Sequence, residues 1–314
     1  MTPLSGRYLI VISLLVLATA CTPTTPNALP SPTTEPSPIP TVTTALVPSQ
    51  MSPTETPRGF QRTVDNWKDW PILPVISDHA KAIYVQGLQL GTNPNRFTVF
   101  GDCQSMPNIF MARYDQDKEL VAQMPVHLQE TIHQFLGSFQ ISDPTVWPGT
   151  DFASELVSSW IEYERSTMEE SIRNDPRFNF GFCKENESPL DCILRVRNPS
   201  IVLINLGTHY EVRNYGYLTD MLQKLIDHGV LPILSFKADN KEGDNRLNQE
   251  IAQAAIEFDL PVWNFYRAAS SLPDNGLKQS PDNHNIYLTD EGLELHRYSA
   301  LQALDSVWRQ LIEK

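Results

Sequence analysis

The most informative part of this chain is Phe97-Thr98-Val99-Phe100-Gly101-Asp102-Cys103-Gln104-Ser105. Its first four residues form an apolar run typical of a buried β-strand, and Gly-Asp then interrupts the run. A strand that turns there directly into a helix exposes the next side chain at the helix N-terminus, where the partial positive charge of the backbone N–H groups favours anions. We therefore expect Cys103 to stand where a nucleophile would be presented, with Asp102 beside it.

Three later apolar runs have the same character and also predict strands: Ile201–Leu206, Leu231–Phe236 and Leu260–Phe265. Helical patterns at Tyr217–His228 and Leu247–Phe258 lie between them. Such an alternation indicates βαβ crossovers and a parallel sheet that is covered on both faces. The predicted fold class is therefore α/β, a three-layer α/β/α sandwich with a mainly parallel sheet.

The sequence predicts three more helices, at Val126–Leu136, at Phe152–Thr167 and at Thr289–Leu311, where Thr289 is the N-cap. In an open parallel sheet, ligands bind beyond the carboxyl ends of the strands. This rule selects a set of polar and glycine residues that each follow a predicted strand: Asp102, Cys103, Gly207, His209, Lys237, Asp239 and Asn240. The last three residues either contact a ligand or cap the turn before Gly243.

The order of these blocks resembles the SGNH (GDSL-type) hydrolases over roughly residues 96 to 314. The first block of that family, Gly-Asp-Ser, carries the catalytic serine, and Cys103 occupies the serine position here. The segment Ile201–Tyr210 resembles the family block that runs into Gly-Thr-Asn-Asp, in which the asparagine helps to form the oxyanion hole. His209 occupies the asparagine position. The resemblance implies an SGNH/flavodoxin-like arrangement of the sandwich.

Two further blocks complete the resemblance. Gly137 matches the second-block glycine, whose N–H faces the oxyanion. In the last block the family carries Asp-x-x-His, and alignment on Leu288-Thr289 puts His284 at the aspartate position and Tyr287 at the histidine position. A tyrosine cannot act as a base near pH 7 because its ordinary pKa is about 10. His284 is therefore the candidate general base.

Each of these candidates also has a purely structural interpretation. Cys103 can be a small buried side chain at a strand–helix junction, His209 a loop residue that shapes a pocket, and His284 a solvated surface histidine. Ser105 is a second candidate nucleophile, but two residues further along a helix it should point away from Cys103.

Two functions follow from the resemblance. The first is an extracytoplasmic esterase or acyl hydrolase that acts on acylated surface glycans, with Cys103 as the nucleophile, since a thiol at a helix N-terminus ionises readily. The second is a catalytically silent module that binds a glycan or a cell-envelope partner through the same cleft. The net charge of −13 argues against a general basic face for nucleic acid.

The N-terminus predicts export and attachment to a membrane. Residues 1–20 contain an apolar core of the length found in signal peptides, and Ala18-Thr19-Ala20-Cys21 resembles a bacterial lipobox in which Cys21 is lipidated. The following stretch from Thr22 to Arg58 holds ten prolines and ten threonines. This composition predicts a disordered stalk at residues 21–58 that carries one α/β domain at residues 59–314.

The remaining cysteines and the histidines suggest no cofactor. Cys183 and Cys192 flank a short polar segment, which predicts a disulfide in an oxidising compartment, or two buried thiols. The histidine spacing fits no metal site, since His127 and His133 lie six residues apart. The chain also has no glycine-rich phosphate loop.

Overall fold

Four parallel strands form the sheet of this computed structural model. They are β1 (Asn93–Gly101), β2 (Pro199–Asn205), β3 (Leu231–Ser235) and β4 (Val262–Trp263), and they lie side by side in the order β1-β2-β3-β4. Residue pairs such as Val99 with Leu203 and Leu203 with Ile233 fix the register. The structure describes residues 60–101, 103–105, 107–140, 184, 189–206, 215–280 and 286–313.

Every residue of β2 and of β3 is buried. Side chains along a strand alternate between its two faces, so burial at every position requires a covering layer on each face. The fold is accordingly an α/β/α sandwich with three layers, and the predicted fold class is confirmed.

The α-helices of the described residues precede, connect and follow these strands. In chain order they are α1 (Asp78–Leu90), α2 (Arg113–Gln116), α3 (Lys118–Ala122), α4 (Val126–Gln134), α5 (Pro189–Arg197), α6 (Tyr215–Asp227), α7 (Arg246–Glu257), α8 (Phe265–Ala269) and α9 (Asp290–Ile312). Helices α6 and α7 contact β3, whereas α9 contacts α4 and α8. All of these elements belong to one compact unit, Leu46–Lys314.

The long helix α9 begins where the sequence predicts it. Thr289 is its N-cap, and its side-chain oxygen accepts a hydrogen bond from the N–H of Gly292 at 3.0 Å. A buried hydrogen bond of 2.6 Å from Thr131 Oγ1 to Asp305 Oδ1 then joins α9 to α4. A cap of this kind stabilises a helix by about 1 kcal/mol, so the start of α9 is fixed by local chemistry.

The described residues contain five helices that are not in the predicted set: α1, α2, α3, α5 and α8. Helix α1 starts after Ser77, whose side chain accepts from the N–H of Ala80, and α5 contains Cys192. The predicted helix at Phe152–Thr167, the signal peptide and the stalk lie outside the described residues. Within the described part of the chain, no helix is both long and apolar enough to cross a membrane.

Candidate functional site at the carboxyl edge of the sheet

The chain leaves β1 through a tight 3₁₀ turn, Cys103–Ser105, where the sequence predicted a helix. Ser105 is 2% exposed and folds back beneath Gly101. A Cβ atom at position 101 would lie 2.0 Å from Ser105 Oγ, so the turn can pass this point only with glycine. The sequence Gly-Asp-Cys-Gln-Ser therefore fits a close return of the chain against the end of its own strand.

Asn205, the last residue of β2, connects this turn to the rest of the sheet. Its side-chain N–H₂ donates to Ser105 Oγ at 2.8 Å and lies 3.0 Å from His296 Nε2. Its side-chain oxygen accepts a 2.8 Å hydrogen bond from Ser235 Oγ at the end of β3. One buried amide thus joins the turn after β1, two strand ends and helix α9.

His296 is enclosed by aromatic rings and is 2% exposed. The ring centroids of Phe110, Trp263 and Phe265 lie 4.6, 5.1 and 4.5 Å from the imidazole. Burial, and secondarily the positive charge of Arg297, lower the pKa of His296 from 6.5 to about 3. Because Asn205 donates to Nε2, the neutral ring carries its proton on Nδ1, which has no partner among the described residues. His296 therefore serves as a neutral acceptor for Asn205 near pH 7.

A buried ion cluster follows β3. The ammonium group of Lys237 donates to Asp239 Oδ1 at 2.7 Å and to Glu242 Oε2. All three side chains are at most 5% exposed. The backbone of Lys237 is held in addition by the amide of Asn248, with distances of 2.9 and 3.0 Å. Two carboxylates and one ammonium give these three side chains together a formal charge of −1.

Asn240 has a different role from its two neighbours. It is exposed, its carbonyl oxygen accepts from the N–H of Gly243 at 3.0 Å, and its Oδ1 accepts from the N–H of Asn245 at 2.8 Å. These contacts match the turn-capping alternative for Asn240. Lys237 and Asp239 are instead buried members of the ion cluster.

The loop before α9 is fixed at its two ends. Leu277 and Leu288 form an antiparallel bridge, and the N–H of Lys278 donates to the carbonyl of Tyr287 at 2.7 Å. Gln104 Nε2 donates to the carbonyl of Ile286 at 2.7 Å. The residue after Cys103 is thus hydrogen-bonded to the residue before Tyr287, whose side chain is 45% exposed.

A cavity of about 20 Å³ lies among these elements. Its polar lining comes from Gln104, Asn205, Lys237, Asp239 and His296. A buried water needs roughly 10–15 Å³, so the cavity has room for a water-sized group.

Gly137 is not brought to this edge. It lies on the surface after α4, and its N–H donates to Asp115 Oδ1 at 2.8 Å. Its neighbours Phe135 and Gln134 contact Phe97 and Asn95, in the part of β1 remote from the carboxyl end. Its N–H is therefore already engaged far from the Cys103 turn.

Several predicted residues lie outside the described part of the chain: Cys21, Asp102, Cys183, Gly207, His209 and His284. Their roles stay predictions. For the cysteines, Cys192 is fully buried and disulfide-bonded, while its pairing with Cys183 stays a prediction. Among the described residues, no group of three or more metal-ligating side chains occurs.

The sequence reasoning missed Asn205, His296, Glu242 and Gln104. The position of Asn205 at the end of an apolar run was the available signal, by the same strand-end rule that selected Lys237. No sequence signal pointed to His296, because a single histidine in a long amphipathic helix is usually a packing residue. A comparison of the chain with protein-family models found no matching family, and a comparison with curated proteins found no match.

Proposed function

We propose that this protein is an extracytoplasmic ester hydrolase of the SGNH type in which Cys103 is the nucleophile. The hydrogen bond from Gln104 to Ile286 carries the proposal. It holds the turn that starts with Cys103 against the segment that ends at Tyr287, so the two blocks that would supply nucleophile and base meet at one edge of the sheet. This is the edge at which parallel α/β sheets bind ligands.

The chemistry follows from the nucleophile. The thiolate of Cys103 attacks the ester carbonyl, the alcohol leaves with a proton from the general acid, and water hydrolyses the thioester to regenerate the thiol. Since Tyr287 cannot supply a base near pH 7, the proton transfers are assigned to His284. Backbone N–H groups at the turn, with Gly207 and His209, are assigned to the oxyanion. Acylated surface glycans are the proposed substrates.

A catalytically silent binding module is the second candidate, and the state of His296 favours it. The only described histidine at this edge is buried and, with a pKa of about 3, cannot collect a proton from a thiol near pH 7. In this case the edge binds a glycan or a cell-envelope partner without reaction.

Hydrolysis of short-chain aryl esters separates the two functions. The hydrolase predicts slow turnover that iodoacetamide and Cys103→Ala both abolish, and Cys103→Ser with Tyr287→His should raise the rate. The silent module predicts no turnover in any variant and glycan binding that Cys103→Ala leaves intact. Brisk hydrolysis that persists in Cys103→Ala would place the nucleophile elsewhere, with Ser105 the next residue to substitute.

A further inference from the structure

A second and larger cavity has a lining separate from that of the candidate site. It is a groove of about 330 Å³ whose lining is mainly apolar and includes Phe60, Trp70, Leu73, Val75 and Val262. Val75 is 58% exposed. The volume is within the range of sites that bind small ligands or a few residues of peptide.

The groove runs along the outer side of β4, the last strand in the sheet. Near the start of β4, Arg62 lines it and donates to the carbonyl of Leu260 at 3.0 Å and to Asp259 Oδ1 at 3.3 Å. Ser77, another lining residue, donates to the carbonyl of Asp259 at 3.3 Å. Further along, the lining residue Val262 pairs with Leu234 near the carboxyl end of β3.

The described chain starts in the wall of this groove, at Phe60. The residues just before it read Pro53-Thr54-Glu55-Thr56-Pro57-Arg58-Gly59. Grooves lined by aromatic side chains bind proline-rich segments, because proline restricts the chain before binding. Gly59 permits a sharp reversal of the chain, and Glu55 carries the charge opposite to that of Arg62. A segment tethered at the rim also has a high effective concentration there.

We propose that Pro53–Pro57 of the same chain dock in this groove. The docked segment covers Val75 and fixes the point at which the stalk leaves the domain.

Trypsin cleavage after Arg58 tests the docking directly. Arg58 is the only lysine or arginine between Arg7 and Arg62, and a docked segment on one side with Phe60 on the other holds its peptide bond away from the protease. In the full chain we expect cleavage at Arg58 to be at least about tenfold slower than in a synthetic peptide of residues 50–62, because proteolysis follows the population of the open state. Val75→Arg should remove most of this protection.

The matched control is Val126→Arg, since Val126 is 69% exposed on α4 and is not among the residues that line the groove. It should leave the cleavage rate unchanged, and equal thermal unfolding of the two variants shows that neither perturbs the fold. The proposal is overturned if trypsin cleaves the wild-type protein as fast as the peptide. It is also overturned if Val75→Arg and Val126→Arg are cleaved at equal rates. A dimer that Val75→Arg dissociates also overturns it, in favour of a second copy. The rate of cleavage after Arg58 is measured both with and without lipid on Cys21, so the test of docking does not depend on attachment to a membrane.

Discussion

His296 shows how burial sets the chemistry of a single residue at the carboxyl edge. The aromatic rings around it exclude water and hold it neutral, and neutrality lets Nε2 accept from Asn205. Protonation of His296 would add a hydrogen to Nε2, which could then no longer accept the hydrogen bond from Asn205. The unfolded chain binds this proton below about pH 6.5, whereas the folded protein binds it only near pH 3. The free energy of unfolding therefore rises with pH across this window and falls as the solution is acidified.

We predict that His296→Phe removes this dependence on pH. At pH 7 the variant should be less stable than the wild type by about 1–3 kcal/mol, since Asn205 loses a buried acceptor. Between pH 6.5 and 4.5 the difference should narrow by roughly 2 kcal/mol or more, because only the wild type loses stability through this histidine. Urea unfolding at several pH values measures both quantities. Parallel curves for the two proteins would show that His296 is not held neutral.

Lys237 is the second residue whose removal has a defined cost. Lys237→Met leaves the carboxylates of Asp239 and Glu242 buried without the ammonium between them, and we expect a loss of about 3–5 kcal/mol in the free energy of unfolding. Arg113→Met is the comparison, since Arg113 and Glu294 are 32% and 47% exposed and exposed pairs contribute about 1 kcal/mol or less. Chemical denaturation compares the two variants, and equal losses would contradict the buried cluster.

Helix α1 approaches the start of β3 through two glycines. A Cβ atom at Gly87 would lie 1.9 Å from the carbonyl oxygen of Gly229, whose φ of +69° also favours glycine. In an ordinary helix Gly→Ala stabilises by roughly 0.5–1 kcal/mol. At Gly87 the added methyl group would instead clash with the backbone of Gly229, which has no flexible side chain that could move aside, so the usual gain in stability is reversed.

Gly87→Ala should therefore destabilise the protein by about 2 kcal/mol or more. Gln86→Ala, on the exposed surface one residue earlier, is the matched control and should change stability by no more than about 0.5 kcal/mol. Thermal unfolding measures both. A stabilised Gly87→Ala variant would mean that the contact between α1 and Gly229 does not form.

The elements that the sequence predicted correctly are those with a strong periodic pattern or a cap. The strand at Ile201–Leu206 and the helix after Thr289 are of this kind, and their observed bounds differ by one or two residues. Helix α1 was missed although Ser77 precedes it as an N-cap. At the carboxyl edge, the ends of the predicted strands indicated Lys237 and Asp239. Their partner Glu242 and the hydrogen bond from Gln104 to Ile286 depend on loop geometry, which a local sequence pattern does not contain.

Across the described domain, two concave features have separate linings. The carboxyl edge carries the Cys103 turn, the buried amide of Asn205 and the ion cluster of Lys237. The groove beside Phe60 runs along β4, and none of the described residues that line it also lines the small cavity at the carboxyl edge. Substitutions in the groove therefore test docking without altering the described residues of the candidate site.

Attachment through Cys21 is the prediction that concerns the entire chain. The apolar stretch before Cys21 is shorter than the roughly 20 apolar residues with which a helix crosses a bilayer, so we expect a lipid on Cys21 to hold the protein at the membrane. We expect Cys21→Ala to move the protein from the membrane pellet to the supernatant after fractionation of the producing cells, while Cys103→Ala stays in the pellet. Two lipid chains hold a protein stably, whereas one gives only reversible binding, so partial release would indicate a single chain. If Cys21→Ala remains in the pellet with an unprocessed N-terminus, the apolar segment itself is the anchor and the lipoprotein assignment is wrong.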